Sequence, residues 1–125
     1  MVIYQIKSKR KPTGGRYKRL KVKKLSRLGN HPRNANLNEK RIKTVRSKGG
    51  NLKKTILSIN TINVFDKNSN KHKLVKIENV METPANRNFV TRNIMTKGAV
   101  VKTELGNVKI TSRPGQEGSL EGILV

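Results

Sequence analysis

"LKKTILSINTINVF" (Leu52–Phe65) decides how the rest of the chain is read. It is long for one strand, whose usual length is about 5–6 residues. Its apolar residues fall on odd positions at Leu57 and Ile59, then on even positions at Ile62 and Val64. Alternate residues of a strand face opposite sides of a sheet. A change of phase inside one strand therefore predicts a bulge, which bends the sheet.

Short runs of the same kind lie on either side. "KRIKTVRSK" (Lys40–Lys48) sets β-branched residues among cations and ends at Gly49-Gly50-Asn51, a hairpin signal. "DKNSN" (Asp66–Asn70) is a polar turn, and "KHKLVKIENV" (Lys71–Val80) places Val75 and Ile77 on one face. "METPANRNFVTRN" (Met81–Asn93) breaks the rhythm with Pro84 and its asparagines, and reads as a structured loop. "GAVVKTELG" and "NVKITS" form a hairpin around Leu105-Gly106-Asn107. "RPGQEG" is a turn and "SLEGILV" a last strand. With no helical pattern among them, these five or six short runs predict an all-β body over residues 39–125, a sandwich or a small barrel. Of the two, a small closed or nearly closed barrel of about six short antiparallel strands is the expected form. Closure would remove exposed strand edges.

Residues 1–38 are of another kind. Ten of the eighteen residues of "KSKRKPTGGRYKRLKVKK" (Lys7–Lys24) are Lys or Arg and none is acidic. Residues 1–54 hold 19 Lys/Arg against one acid, Glu39, while residues 55–125 hold 10 against six. The chain is thus a basic, largely disordered arm (1–38) on a nearly ordinary body. Tyr17, Leu20, Leu25 and Leu28 would share one side of a helix, so the arm is expected to become helical only when phosphates neutralise it.

A net charge of +22 on 125 residues points to a polyanionic partner. An anionic membrane is the other candidate surface, but no apolar run is long enough to span a bilayer. Cysteine is absent, which excludes disulfides and thiolate metal sites. The two histidines, His31 and His72, sit among cations beside turn signals and form no triad or zinc set. Thr13-Gly14-Gly15 lacks the surroundings of a phosphate-binding P-loop. Catalysis, cofactor, metal, small-molecule substrate and homo-oligomer are all expected to be absent.

Each cation placed near a phosphate releases condensed counterion, so about ten contacts would give a salt slope of roughly −7 to −9. The arm's candidates are Lys7, Lys9, Arg10, Lys11, Arg16, Lys18, Arg19, Lys21, Lys23, Lys24, Arg27 and Arg33, with Thr13, Gly14 and Gly15 between the two basic blocks. Gly14-Gly15 lets the backbone approach a phosphate and turn sharply. Tyr17 has two readings, a base-stacking platform or an apolar contact with the body. The body adds Arg41, Lys43, Arg46 and Lys48 on its first strand, whose phases differ. Arg87 and Arg92 flank Asn86, Asn88 and Phe89 in the loop; Asn86 reads equally as an RNA contact or as a turn-forming side chain.

"RKPTGGRYK", "GGN", "NVFD", "TPANRNFVTRNIMTKGAVVKTELG" and "VKITSRPGQEG" occur in this order over nearly the whole chain. The set resembles the small-subunit ribosomal protein "eight-e" family of archaea and eukaryotes. Without the long insertion of eukaryotic members, the chain resembles the archaeal form. Where the family carries a Trp-Gln-Gly segment, this chain reads Tyr4-Gln5-Ile6. The resemblance implies a structural constituent of the cytoplasmic ribosome. Its partners would be small-subunit ribosomal RNA and neighbouring ribosomal proteins. It carries Arg10, Lys11, Thr13, Gly14, Gly15 and Arg16 over as arm residues, and Asn86, Arg87, Arg92, Asn93, Lys97, Arg113 and Pro114 as matching body positions. Composition alone also allows a DNA-binding chromatin protein with a basic arm.

Overall fold

A computed structural model describes residues 8–18, 29–67 and 69–125. The chain divides into two compact units, residues 1–32 and 33–125.

In the first unit, residues 9–17 form a tight hairpin. The Gly14 N–H donates to the Lys11 carbonyl at 2.9 Å, the Lys11 N–H to the Gly15 carbonyl at 2.7 Å, and the Tyr17 N–H to the Lys9 carbonyl at 3.2 Å. Arg10 and Arg16 pair as an antiparallel bridge. Pro12 pre-sets the backbone at the second position of the turn. Gly14 takes φ +84°, the left-handed position that a three-residue hairpin reserves for glycine. The helix expected on phosphate binding falls mostly on residues 19–28, outside the described residues; of its four apolar positions only Tyr17 is described.

The second unit is built almost wholly of short strands: β1 (Ala35–Asn36), β2 (Arg41–Arg46), β3 (Leu52–Ser58), β4 (Thr61–Asp66), β5 (Lys71–Glu82), β6 (Ile94–Met95), β7 (Val100–Thr103), β8 (Gly106–Ile110) and β9 (Glu121–Leu124). A one-turn helix, α1 (Asn88–Thr91), lies between β5 and β6. Two sheets result: a closed barrel in the order β4-β5-β7-β8-β9 and an open sheet in the order β2-β3-β1-β6. The expectation of one antiparallel barrel of about six strands is corrected here. The barrel has five strands, the others make the second sheet, and β4·β9 and β1·β3 pair in parallel.

The reason lies in Leu52–Phe65, which is two strands rather than one. The register between β2 and β3 shifts between Arg41 and Ile42, so that Leu57 is skipped in the pairing with β2 and Ile56, not Leu57, points to the core. The chain then leaves the strand at Ile59-Asn60 and enters the barrel at Thr61. The corner is tied by the Ile77 N–H donating to the Asn60 carbonyl at 2.9 Å, and by the Ile59 N–H donating to the Asn36 carbonyl at 3.1 Å.

The barrel closes because β5 bends. Val75 and Ile77 are buried on odd positions, then Val80 on an even one. Register shifts leave Glu78 and Met81 as the extra residues against β7. β5 thus runs to Glu82, two residues into the segment expected to be a loop. β7 and β8 are joined through Glu104-Leu105, a residue earlier than expected, with Gly106 at φ +123°. Inside lie Ile62, Val64, Val75, Ile77, Val80, Val101, Val108 and Ile110, continuous with Ile56, Ile59, Ala35 and Met95 beneath the open sheet. Each fully buried Ile or Val contributes about 1.5–3 kcal/mol relative to exposure.

Candidate nucleic-acid interface

The arm hairpin is a display of charge. Lys9, Arg10, Lys11, Thr13, Gly14, Gly15, Arg16, Tyr17 and Lys18 are all exposed. Arg10 Nη1 donates to the Gly14 carbonyl at 3.1 Å, which fixes the guanidinium group beside the turn. The Lys11 ammonium lies 5.6 Å from the centroid of the Tyr17 ring, a cation–π pair that holds both side chains at the surface. Tyr17 remains 53% exposed, so its free face can take a base. Lys7, Arg19, Lys21, Lys23, Lys24 and Arg27 lie outside the described residues.

Arg33 behaves differently from its neighbours in sequence. It is half-buried and donates from Nη1 to the Thr55 hydroxyl. That hydroxyl donates in turn to the Lys43 carbonyl at 2.9 Å. Arg33 is therefore a strut of the open sheet as well as a cation.

On the open sheet, Arg41, Lys43 and Arg46 stand exposed along β2, and Lys48 sits in the 3-10 turn after it. Gly49 and Gly50, at φ +72° and +81°, carry the chain round into β3. Lys53 and Lys54 continue the charge on the return strand; Lys53 Nζ donates to Gln116 Oε1 at 3.1 Å. Neither lysine is among the candidates read from the sequence, although their place just after the glycine turn is the signal that pairs them with the β2 cations.

The segment Thr83–Lys97 makes a second cluster. Asn86 Oδ1 accepts the Asn88 N–H at 2.9 Å, so that oxygen serves the turn into α1. Of the two readings of Asn86, the turn-forming one is the bond observed. Arg87 and Arg92 flank α1 and are exposed. Asn93 sits at φ +50° just past the helix, a position asparagine tolerates, and its carbonyl accepts the Leu37 N–H at 3.2 Å. Lys97 is exposed in the turn before Gly98. Since α1 packs on β5 and β6, Arg87, Arg92 and Lys97 are held by the sheets rather than on a free loop. Arg113 is exposed but engaged: its Nε is 3.8 Å from Glu117 Oε1, and its N–H donates to Glu117 Oε2 at 3.1 Å. Pro114 is buried, and its carbonyl accepts the Ile56 N–H at 2.9 Å.

Chemistry other than charge has little material here. Among the described residues there is no group of three or more His, Cys, Asp or Glu placed to hold a metal. Among them, too, no helix is long and apolar enough to cross a membrane. His72 lies against Phe65, ring centroids 4.9 Å apart. The six acids of residues 55–125 are partly engaged in ion pairs, including Glu78 with Lys102 at 3.2 Å. What remains, among the described residues, is a set of exposed cations on the arm hairpin, the β2–β3 ribbon and the α1 region, with further exposed lysines at Lys71, Lys73 and Lys76 of β5 and Lys109 of β8.

Comparison with known proteins agrees with this picture. A match to the family described as ribosomal protein S8e covers residues 4–125. The small ribosomal subunit protein eS8 of Methanobrevibacter smithii is 45% identical over the whole of both chains. That of Methanocorpusculum labreanum is 45% identical over 99% of each chain. That of Nanoarchaeum equitans is 43% identical over 98% of this chain and 96% of its own.

Proposed function

The chain belongs to the ribosomal protein S8e family, and on that premise we propose that it is a structural constituent of the small ribosomal subunit, bound to ribosomal RNA and without catalytic activity of its own. The observation that carries this reading is the family match over nearly every residue, joined to exposed cations on each support that the fold provides. The full-length similarity to archaeal small-subunit proteins supports this reading, and neighbouring small-subunit proteins are its expected partners beside the RNA.

The arm supplies most of the phosphate contacts through Lys9, Arg10, Lys11, Arg16 and Lys18 and the cations of residues 19–27. The body adds Arg41, Lys43, Arg46 and Lys48, then Arg87, Arg92 and Lys97, and fixes where the arm enters the RNA. Preformed geometry favours this division. The hairpin's three backbone bonds mean that less ordering entropy is lost on binding than for a free chain. Arg guanidinium groups fork onto phosphate oxygens, while Lys ammonium groups act as mobile point charges.

Sedimentation tests the reading. The protein should travel with small subunits through a sucrose gradient at moderate salt and be stripped at high salt. Its absence from that fraction, or ready displacement from ribosomal RNA by duplex DNA, would favour a chromatin-type binder instead.

A further inference from the structure

Residues 40–54 carry seven Lys/Arg and no acid. They form the ribbon of β2 and β3, in which β2 is an edge strand with β3 as its partner. Residues paired across two strands share a face. The register therefore puts Thr44, Arg46, Leu52 and Lys54 on one face, and Lys43, Val45 and Lys53, with Arg41 beyond, on the other. Towards the turn neither face rests on the core: Thr44, Arg46, Leu52, Lys53 and Lys54 are exposed, and Leu52 is 69% so.

Cations on both faces of a thin ribbon are not what one flat contact requires. A ribbon lying on a single RNA surface needs charge on one face, and an unused face ordinarily mixes acids with bases. We propose that the β2–β3 ribbon is a wedge between two separate RNA backbones, with Arg46 and Lys54 neutralising phosphates on one side and Lys43 and Lys53 on the other. This rests on the RNA-binding reading above and deepens it: the ribbon cross-braces two RNA segments. Two polyanions separated by a single β-layer stand on the order of one Debye length apart, about 8–10 Å, where their repulsion is poorly screened. A two-sided cationic ribbon offsets that repulsion from within. Leu52, beside Arg46, gives one face an apolar spot for a ribose or base.

The chain's lack of cysteine makes a direct test possible with the full-length protein. Thr44→Cys and Val45→Cys, each carrying a tethered iron chelate that generates hydroxyl radicals, place the probe on opposite faces. Bound to small-subunit ribosomal RNA, they should cut most strongly in two different RNA strands; the same strongest cuts from both would overturn the wedge. A second measurement uses matched pairs. Arg46→Gln with Lys54→Gln, and Lys43→Gln with Lys53→Gln, should each lower the salt slope by about 1.4–1.8, the value for two lost phosphate contacts. A slope unmoved by either pair means a one-sided or absent contact and overturns the proposal, while binding through the arm persists. If the wild-type chain itself failed to bind, the RNA-binding reading would fall with it, so the two failures are told apart.

Discussion

Replacing Gly122 by alanine tests the barrel at its tightest point. Gly122 lies on β9, paired with Val64 of β4 on one side and Ile110 of β8 on the other. A Cβ there would stand 2.5 Å from Val108 Cγ1, 2.9 Å from the Lys109 carbonyl oxygen and 3.0 Å from Ile62 Cδ1. Carbon atoms pack favourably at about 3.5–4.0 Å, so the Val108 contact alone must open by about 1 Å. The valine could shift; the carbonyl is part of a ladder that closes the barrel and has nowhere to retreat. Overpacking of this kind costs about 1–3 kcal/mol. The loss of unfolded-chain freedom on Gly→Ala offsets about 0.4–1 kcal/mol of that. With a backbone atom involved, a net loss of about 2 kcal/mol is expected, which for a body of this size lowers Tm by about 10 °C. Circular dichroism during thermal and urea unfolding measures it, with the urea m-value unchanged. A Tm within about 2 °C of wild type would refute the packing described here. Adding Val108→Ala removes the clashing methyl, so the double variant should be more stable than the two single losses summed, by about 1 kcal/mol. Strict additivity would place the strain elsewhere.

Gly14→Ala forces a side chain into the left-handed turn position of the arm hairpin, at a cost of about 1–2 kcal/mol. RNA affinity should fall about 5–30-fold with the salt slope unchanged, because shape is lost and charge is not; a changed slope in filter binding would count against a preformed hairpin. Removing residues 1–32 should leave the β-body's circular dichroism and Tm intact while sharply reducing RNA affinity and salt slope. Removing residues 1–38 also takes away β1, with buried Ala35, the bond from the Ile59 N–H to the Asn36 carbonyl and that from the Leu37 N–H to the Asn93 carbonyl, and should cost about a further 2–4 kcal/mol. Equal Tm values for the two truncations would show that β1 adds nothing to the sheet. The Thr83 hydroxyl is buried with no hydrogen-bond partner among the described residues, so Thr83→Val should leave stability unchanged or raise it by about 1 kcal/mol. A clear loss in urea unfolding would reveal a bond to that oxygen.

Charge and turn chemistry are local properties, and the sequence alone determined their consequences: a polyanionic partner, a glycine turn after Lys48, a hairpin near Leu105-Gly106, placed one residue late, and a break of phase near Leu57. The family resemblance rested on contiguous motifs and was equally legible. Strand assignment failed where distant partners decide the outcome. Val75, Ile77 and Val80 show a phase change as plain as that of Leu57 and Ile62, yet only pairing with β7 turns it into the bulges that bend β5. Nothing local separates Leu52–Ser58 from Thr61–Asp66 into different sheets; the corner at Ile59-Asn60 exists because Asn36 and Ile77 bind it from far away in the chain. Lys53 and Lys54 read as two more cations until the register set them opposite Val45 and Thr44 and gave the ribbon two charged faces. Gly122 reads as one glycine among ten until the closed barrel brings Ile62 and Val108 against it. Composition sets the partner because electrostatic attraction to a polyanion sums over all the charges, whatever their order. Placement belongs to tertiary structure because it depends on which strands meet, and that is settled by packing between residues far apart in sequence.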